Sequence, residues 1–138
     1  MKKAAIILIA LILSIKLFAP SERCIYIEVP TKINPFIPLW VAVKLVETGN
    51  NADTINYDEQ AYGCGQIRQG KLTDFNNATG KKYSLMDCLD ESVSREIFLW
   101  HCSAYYDIET AAMRWNGSGP MTIEYWRKVK KELLTHKN

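Results

Sequence analysis

The chain has 138 residues, of which 48% are hydrophobic, so it is long enough for one domain with a substantial apolar core. Its formal net charge is +2, but Lys2, Lys3 and Lys16 lie in the first 19 residues. Without them, 14 of the 17 basic residues remain against 15 acidic ones, which gives a net charge of −1. A nearly neutral domain lacks the basic surface that nucleic-acid binding requires, so we expect no nucleic-acid partner.

The N-terminus has the pattern of an export signal. Two lysines precede an apolar stretch over residues 4–15, which is the length of a signal-peptide core and too short to span a bilayer comfortably. We therefore predict a signal peptide over residues 1–19, cleaved after Ala19. Lys16 interrupts the apolar run, which leaves an uncleaved N-terminal anchor as the alternative. Either way, we expect an exported protein in the periplasm or cell envelope of a bacterium, or a secreted one.

Four cysteines in an exported chain indicate disulfides. Cys24, Cys64, Cys88 and Cys102 allow three pairings, among which the sequence does not choose. No two of them have C-x-x-C spacing, and the two histidines are not spaced as ligands with them, so we expect no metal and no other cofactor.

The segments after the leader predict a mainly α-helical domain over residues 38–138. Residues 20–37 are predicted to form an extended lead-in. A first helix is predicted over residues 38–47 and ends at Gly49. Residues 50–64 are polar and rich in turn formers, which indicates a loop or a small hairpin, and a short helix over residues 67–77 follows.

Capping signals mark the later helices. Ser84 and Asp87 have the spacing of a capping box, Asp90 is predicted to cap an amphipathic helix, and Thr122 is predicted to cap the last one. Another short helix is predicted over residues 108–115. The apolar stripe after Asp90 contains Val93, Ile97, Trp100 and Ala104, and that of the last helix contains Tyr125, Trp126, Val129 and Leu133. The total is about five helices with little strand.

Glu47 is unusual because it ends an apolar helix beside a glycine turn. A buried carboxyl group keeps its proton to higher pH, which is what a general acid needs. The ordinary alternative is a surface ion pair with Lys44, one helical turn earlier. Two other segments bear on the choice, residues 60–67 (Gln-Ala-Tyr-Gly-Cys-Gly-Gln-Ile) and residues 113–119 (Met-Arg-Trp-Asn-Gly-Ser-Gly).

Together these segments resemble the lysozyme-like fold of lytic transglycosylases and goose-type lysozymes. The family pattern has a glutamate followed by Ser or Thr and a Gly/Asn turn, matched by residues 47–50 (Glu-Thr-Gly-Asn). A Gly-Ala-x-Gly-Leu-Met-Gln-Ile-like segment is matched by residues 60–67, and an Ala-Tyr-Asn-x-Gly-like turn by residues 113–119. A tyrosine in the final helix is matched by Tyr125. The sequence departs from the pattern where Cys64-Gly65 replaces Leu-Met and Trp115 replaces tyrosine, which alters the shape expected for the sugar subsites.

The resemblance implies cleavage of the β-1,4 bond between MurNAc and GlcNAc in peptidoglycan. Glu47 would first protonate the glycosidic oxygen. It would then act as base on the muramyl C6 hydroxyl, giving 1,6-anhydromuropeptides, or on water, giving hydrolysis. We expect a lytic transglycosylase first and a hydrolytic muramidase second. Hydrolysis would use a second carboxylate, for which the candidates are Asp53, Asp58 and Glu59.

The same resemblance implies a set of substrate-binding residues. Gln66 and Asn116 would bind sugar hydroxyl or acetamido groups, and Thr48 would orient Glu47 or an acetamido group. Aromatic rings match the apolar face of a pyranose, and the candidates for stacking are Tyr57, Tyr62, Trp115 and Tyr125. Each has an ordinary alternative: core packing for the aromatic rings, a loop hydrogen bond for Gln66, a helix-end hydrogen bond for Thr48 and a helix cap for Asn116.

Two other classes of protein stay open. One is a catalytically silent module that binds glycan or protein through the same cleft, and the other is a structural envelope protein held by disulfides. A Cys/His hydrolase is disfavoured because His101 and Cys102 are adjacent in a helix and do not face each other. As an enzyme, this small chain is expected to be a monomer. It would open peptidoglycan for a secretion or conjugation machinery, in wall turnover or in phage lysis.

Overall fold

The structure, a computed structural model, describes residues 34–135. The predicted leader, its cleavage point and Cys24 lie outside the described residues. The described part contains five α-helices, one 3₁₀ turn and a two-stranded hairpin, so the mainly α-helical fold is confirmed. In chain order these are α1 (Phe36–Thr48), β1 (Ile55–Asn56), β2 (Ala61–Tyr62), α2 (Gln69–Thr79), the 3₁₀ turn (Met86–Leu89), α3 (Glu91–Cys102), α4 (Ile108–Asn116) and α5 (Met121–Thr135).

Helix α1 is the central element. Its N-terminal end is fixed by Asn34, whose Oδ1 accepts a hydrogen bond of 2.9 Å from the N–H of Phe36. It ends where predicted, because Gly49 adopts a left-handed φ of 63° and its N–H returns to the carbonyl of Leu45. The helix packs mainly on α5 and also on α3 and α4. This packing places its last turn, with Glu47, against α5.

The predicted hairpin forms between α1 and α2. Ile55 pairs with Tyr62 in an antiparallel register, and Tyr62 also exchanges backbone hydrogen bonds of 3.0 and 2.9 Å with Ile67. The second pair of bonds closes a tight loop over residues 63–66. Gly63 allows this loop to lie against the 3₁₀ turn, since a Cβ there would be 1.9 Å from the carbonyl oxygen of Cys88.

Some of the predicted helix caps form and others do not. Asp90 caps α3 as predicted, because its Oδ1 accepts a bond of 2.7 Å from the N–H of Ser92. Ser84 and Asp87 do bond to each other, but the element that begins there is a 3₁₀ turn, which contains Asp87, rather than an α-helix. The prediction that Thr122 caps α5 is wrong. Thr122 lies inside that helix, and its hydroxyl donates a bond of 2.7 Å back to the carbonyl of Gly119.

Apolar side chains from all five helices form one core. The predicted stripe of α3 is buried at Ile97 and half-buried at Val93 and Trp100, whereas Ala104 lies beyond the helix end and is exposed. In α5 the predicted apolar side faces the core. The largest fully buried side chains are Trp40, Phe75, Phe98, Leu39, Ile67, Leu72 and Ile97. Of the helices in the described part, none has the length and hydrophobicity needed to cross a bilayer.

The expected disulfides are not formed among the described cysteines. Cys64, Cys88 and Cys102 are buried as free thiols. They pack as small apolar side chains in the core, and the thiol of Cys88 also donates a weak bond of 3.7 Å to the carbonyl of Ser84. Burial raises the pKa of Cys88 and of Cys102 to about 12, so both keep their protons at neutral pH.

Candidate active site

A cleft of about 550 Å³ opens beside the end of α1. The last turn of α1, the loop before α2 with the first turn of that helix, and the C-terminal end of α4 form most of it, and these segments include or adjoin the three sequence motifs. The hairpin turn adds Glu59. The residues lining the cleft are Glu47, Glu59, Gln66, Arg68, Gly70, Lys71, Trp115, Asn116 and Gly117. Its volume lies within the roughly 300–1,000 Å³ typical of small-ligand sites.

Glu47 is half-buried in this cleft, and its carboxyl group is hydrogen-bonded to a buried tyrosine. Its Oε1 accepts a hydrogen bond of 2.7 Å from the hydroxyl of Tyr125. Burial raises the pKa of Glu47, and the hydrogen bond from Tyr125 and the positive charge of Arg68 only partly oppose that effect. The carboxyl group therefore holds its proton to higher pH than an exposed glutamate does.

The surface ion pair considered for Glu47 does not form. Lys44 turns instead to α3, where its Nζ lies 2.6 Å from Oε1 of Glu91. This pairing lowers the pKa of Glu91. Lys44 therefore does not pair with Glu47, whose carboxyl group contacts Tyr125 and the cleft instead.

Tyr125 does not lie where a sugar-stacking residue would. Its ring is buried, with 8% of its surface exposed, and it does not line the cleft. Burial and the neighbouring charge of Glu47 raise the pKa of its hydroxyl, which therefore keeps its proton and donates it to the hydrogen bond. Its place in the structure is behind the carboxyl group, where it positions Glu47.

Gln66 lines the cleft and also holds its own loop. It adopts a left-handed φ of 50°, and its Nε2 donates a bond of 2.9 Å to the carbonyl of Gly63. This is the loop hydrogen bond considered as its ordinary role. Within residues 34–135, nothing bonds to the amide oxygen of Gln66, so that oxygen is left for a ligand.

Trp115 and Asn116 both line the cleft, in different ways. Trp115 is mostly a core residue: it is 5% exposed, its Nε1 donates a bond of 3.2 Å to the carbonyl of Gly65, and its ring meets Phe98 edge-on. Asn116 is the last residue of α4, and the residue with positive φ that follows is Gly117. The side chain of Asn116 makes no hydrogen bond to any residue in the described range. Its amide is free to bind a ligand.

Besides Tyr125, three other predicted substrate-binding residues (Thr48, Tyr57 and Tyr62) lie outside the cleft. Thr48 donates its hydroxyl to the carbonyl of Lys44 at 3.2 Å, which is the ordinary helix-end role. Tyr57 is 78% exposed in the hairpin turn, and Tyr62 is half-buried against the core. Of the three candidate second carboxylates (Asp53, Asp58 and Glu59), Glu59 alone lines the cleft.

The sequence motifs did not include two cations that lie in the cleft. Arg68 forms an ion pair with Glu59. The Nζ of Lys71 lies 4.6 Å from the centre of the Trp115 ring, and burial lowers the pKa of Lys71. Their position was the available signal, since both residues follow Gln66 closely: Arg68 is the N-cap residue of α2, and Lys71 lies in its first turn.

The described side chains bring together no group of three His, Cys, Asp or Glu that could hold a metal ion. The cleft brings together one acid of raised pKa, a second carboxylate at Glu59, the amides of Gln66 and Asn116, and two cations. Comparison of the chain with protein-family models, curated proteins and solved structures found no match. The cleft and the motifs that form it are therefore the basis for any function assigned to the chain.

Proposed function

We propose that this protein cleaves the β-1,4 bond between MurNAc and GlcNAc in peptidoglycan, on a lysozyme-like fold, and that it acts as a lytic transglycosylase. The observation that carries the proposal is the environment of Glu47, an acid of raised pKa in a cleft with Gln66 and Asn116. Glycosidic bonds require such an acid, because the leaving oxygen is weakly basic.

In the first step, the carboxyl group of Glu47 gives its proton to the glycosidic oxygen. The bond from that oxygen to the muramyl C1 breaks, and its electron pair stays with the GlcNAc oxygen. Positive charge develops at C1, where the substrate's own acetamido group supports it. The hydroxyl of Tyr125, 2.7 Å from Oε1, holds the carboxyl group while the proton moves.

In the second step, the carboxylate of Glu47 takes the proton of the muramyl C6 hydroxyl. The C6 oxygen attacks C1, which closes a 1,6-anhydro ring and restores the acid. The hydrogen bond from Tyr125 and the charges of Arg68 and Lys71 stabilise the transient carboxylate. The site is thereby suited to hold Glu47 in both protonation states.

Hydrolysis by a muramidase is the second candidate, and Glu59 is the observation that favours it. This carboxylate lies in the same cleft as Glu47 and pairs with Arg68. A retaining or an inverting glycosidase would use it as nucleophile or as base on water.

We propose the bacterial envelope as the place of action, with a monomer acting on glycan strands. Opening the wall for a secretion or conjugation machinery, wall turnover and phage lysis all fit a local cleaving enzyme of this kind.

Mass spectrometry of soluble products from purified peptidoglycan tests the proposal. We expect anhydromuropeptides from the wild type and none from Glu47→Gln, while Glu109→Gln, which changes an exposed acid of α4 outside the cleft, keeps wild-type activity. Reducing-end products would indicate a muramidase instead. Folded wild-type protein that releases no product would overturn the enzyme proposal and favour a silent binding module.

A further inference from the structure

A second recess, of about 390 Å³, adjoins the cleft. It lies along the segment that joins α4 to α5, and its lining residues are Thr110, Met113, Arg114, Gly117, Ser118, Gly119 and Thr122. Gly117 lines both cavities, so the recess continues the cleft beyond Asn116. A substrate bound beside Glu47 can therefore extend a substituent into it.

The floor of this recess is open backbone. Gly117 and Gly119 have φ angles of 132° and 111°, which favour glycine, and a Cβ added to either would meet no atom within 4 Å. Ser118, which stands between them in sequence, also lines the recess. An extended chain can lie along such a surface without displacing a side chain.

The charge of the recess comes from Arg114. This exposed side chain forms no ion pair or hydrogen bond within residues 34–135, whereas Arg68 pairs with Glu59 and Arg127 pairs with Glu124. The ammonium group of Lys71 lies 3.5 Å from the backbone carbonyl of Arg114 and adds positive charge at the border with the cleft. A guanidinium group is well shaped to bind a carboxylate with two parallel hydrogen bonds.

We propose that this recess binds the peptide stem of the muramyl residue and that Arg114 recognises a carboxylate of that stem. The inference rests on the proposed function, because peptidoglycan carries a peptide with free carboxylates on each muramyl unit and an unsubstituted glycan does not. Arg114 is then a specificity-determining residue. It selects stem-bearing strands and takes no part in the proton transfers of Glu47.

The test compares two forms of one substrate. The first is peptidoglycan as purified, and the second is the same material with its stem carboxyl groups capped as methylamides by carbodiimide coupling. We expect capping to lower kcat/KM of the wild type by about tenfold, the usual scale for one charge-assisted contact. On the uncapped substrate, kcat/KM of Arg114→Gln should be lower than that of the wild type by about the same factor. Capping the substrate should not lower kcat/KM of this variant any further. Arg95→Gln, an exposed arginine of α3 outside both cavities, should behave as the wild type.

The proposal is overturned if Arg114→Gln loses activity equally on both substrates, or if capping affects the two proteins equally. Failure of the proposed function is a separate result, in which the wild type releases no product from either substrate. Calorimetry then provides an independent readout. A soluble muramyl tripeptide should bind Glu47→Gln several-fold more tightly than its methylamide does, and equal affinities would overturn stem recognition.

Discussion

The hydroxyl of Tyr125 donates a hydrogen bond of 2.7 Å to Oε1 of Glu47 across 78 residues of sequence. The two residues belong to α5 and α1, which pack together along the core. Burial makes Glu47 a weaker acid, and this hydrogen bond makes it a stronger one. The packing of two helices thus sets the acidity of the candidate catalytic group.

Replacing Tyr125 by Phe should move the pH dependence of activity. The hydrogen bond from Tyr125 favours the carboxylate and lowers the pKa of Glu47, whereas burial raises it. Without the hydrogen bond, the pKa of Glu47 should therefore rise further. Activity that needs protonated Glu47 should therefore persist to higher pH. The alkaline limb of kcat/KM against pH measures this. Tyr106→Phe, at a fully exposed ring, should leave the limb in place. A limb that moves to lower pH would contradict the assignment.

Ionisation of Glu47 should also lower the free energy of unfolding as pH rises. Because its folded pKa is raised above the ordinary glutamate value of 4.5, its contribution to stability is present below pH 4.5 and is lost as pH rises through the folded pKa. Glu47→Gln has no such titration and still accepts the Tyr125 hydrogen bond. Urea unfolding at acidic and alkaline pH should show the variant gaining stability relative to the wild type as pH rises. A constant difference would argue against a buried acid.

We expect Gln66→Ala to lower both stability and activity, and Asn116→Ala to lower activity alone. Gln66 loses its bond to Gly63, so we expect about 0.5–1.5 kcal/mol less stability together with lower activity. The amide of Asn116 has no partner in the described part of the chain, so its loss should change stability by less than about 0.5 kcal/mol. Its kcat/KM should still fall by about tenfold, as expected for one lost substrate hydrogen bond. Denaturant unfolding and product release, measured on both variants, decide this.

Gly63→Ala and Gly80→Ala form a matched pair for the loop beside the cleft. Both glycines have left-handed φ angles, 73° and 74°, so each substitution costs about 1–2 kcal/mol from the backbone alone. Gly80 has open space, whereas a Cβ at Gly63 would lie 1.9 Å from the carbonyl oxygen of Cys88. We expect Gly63→Ala to lose at least about 3 kcal/mol in total, measured by urea unfolding. Equal losses in the two variants would mean that the close approach is not real.

Glu59→Gln discriminates between the two candidate reactions. For a single-acid transglycosylase we expect the same anhydro products, with kcat/KM reduced by less than about tenfold, because the role of Glu59 is then to pair with Arg68. For a muramidase, loss of the second carboxylate should lower the rate by about 10²–10⁴-fold. The product spectrum and the rate are read from the same digest. A variant that makes anhydro products but loses the larger factor would contradict both.

Local chemistry made much of the fold predictable. The helix ends at Gly49 and Gly80 follow from glycine in a left-handed conformation, and the start of α3 follows from one side-chain cap at Asp90. These signals act over a few residues and need no tertiary structure. Glu47, Gln66 and Asn116 line one cleft, a placement that the sequence indicated only through the resemblance of its motifs to lysozyme-like enzymes.

The remaining details depend on contacts between distant segments. Tyr125 was predicted to stack on sugar, because nothing in a single sequence shows that its hydroxyl reaches Glu47. Lys44 was the nearest cation to Glu47 in the helix, but it pairs with Glu91, 47 residues away. The cysteine composition predicted disulfides, yet the core places Cys64 and the other described cysteines as separate free thiols.

The buried thiols make unfolding of this protein detectable as a covalent change. A thiol reacts with oxidants as its thiolate, and the burial that raises the pKa of Cys88 and Cys102 to about 12 also keeps both from reagents in solution. A molecule that opens in oxidising surroundings exposes them, together with Cys64. Once these thiols cross-link, the chain cannot return to this packing. In such surroundings, the rate at which the core opens would set the lifetime of the folded protein.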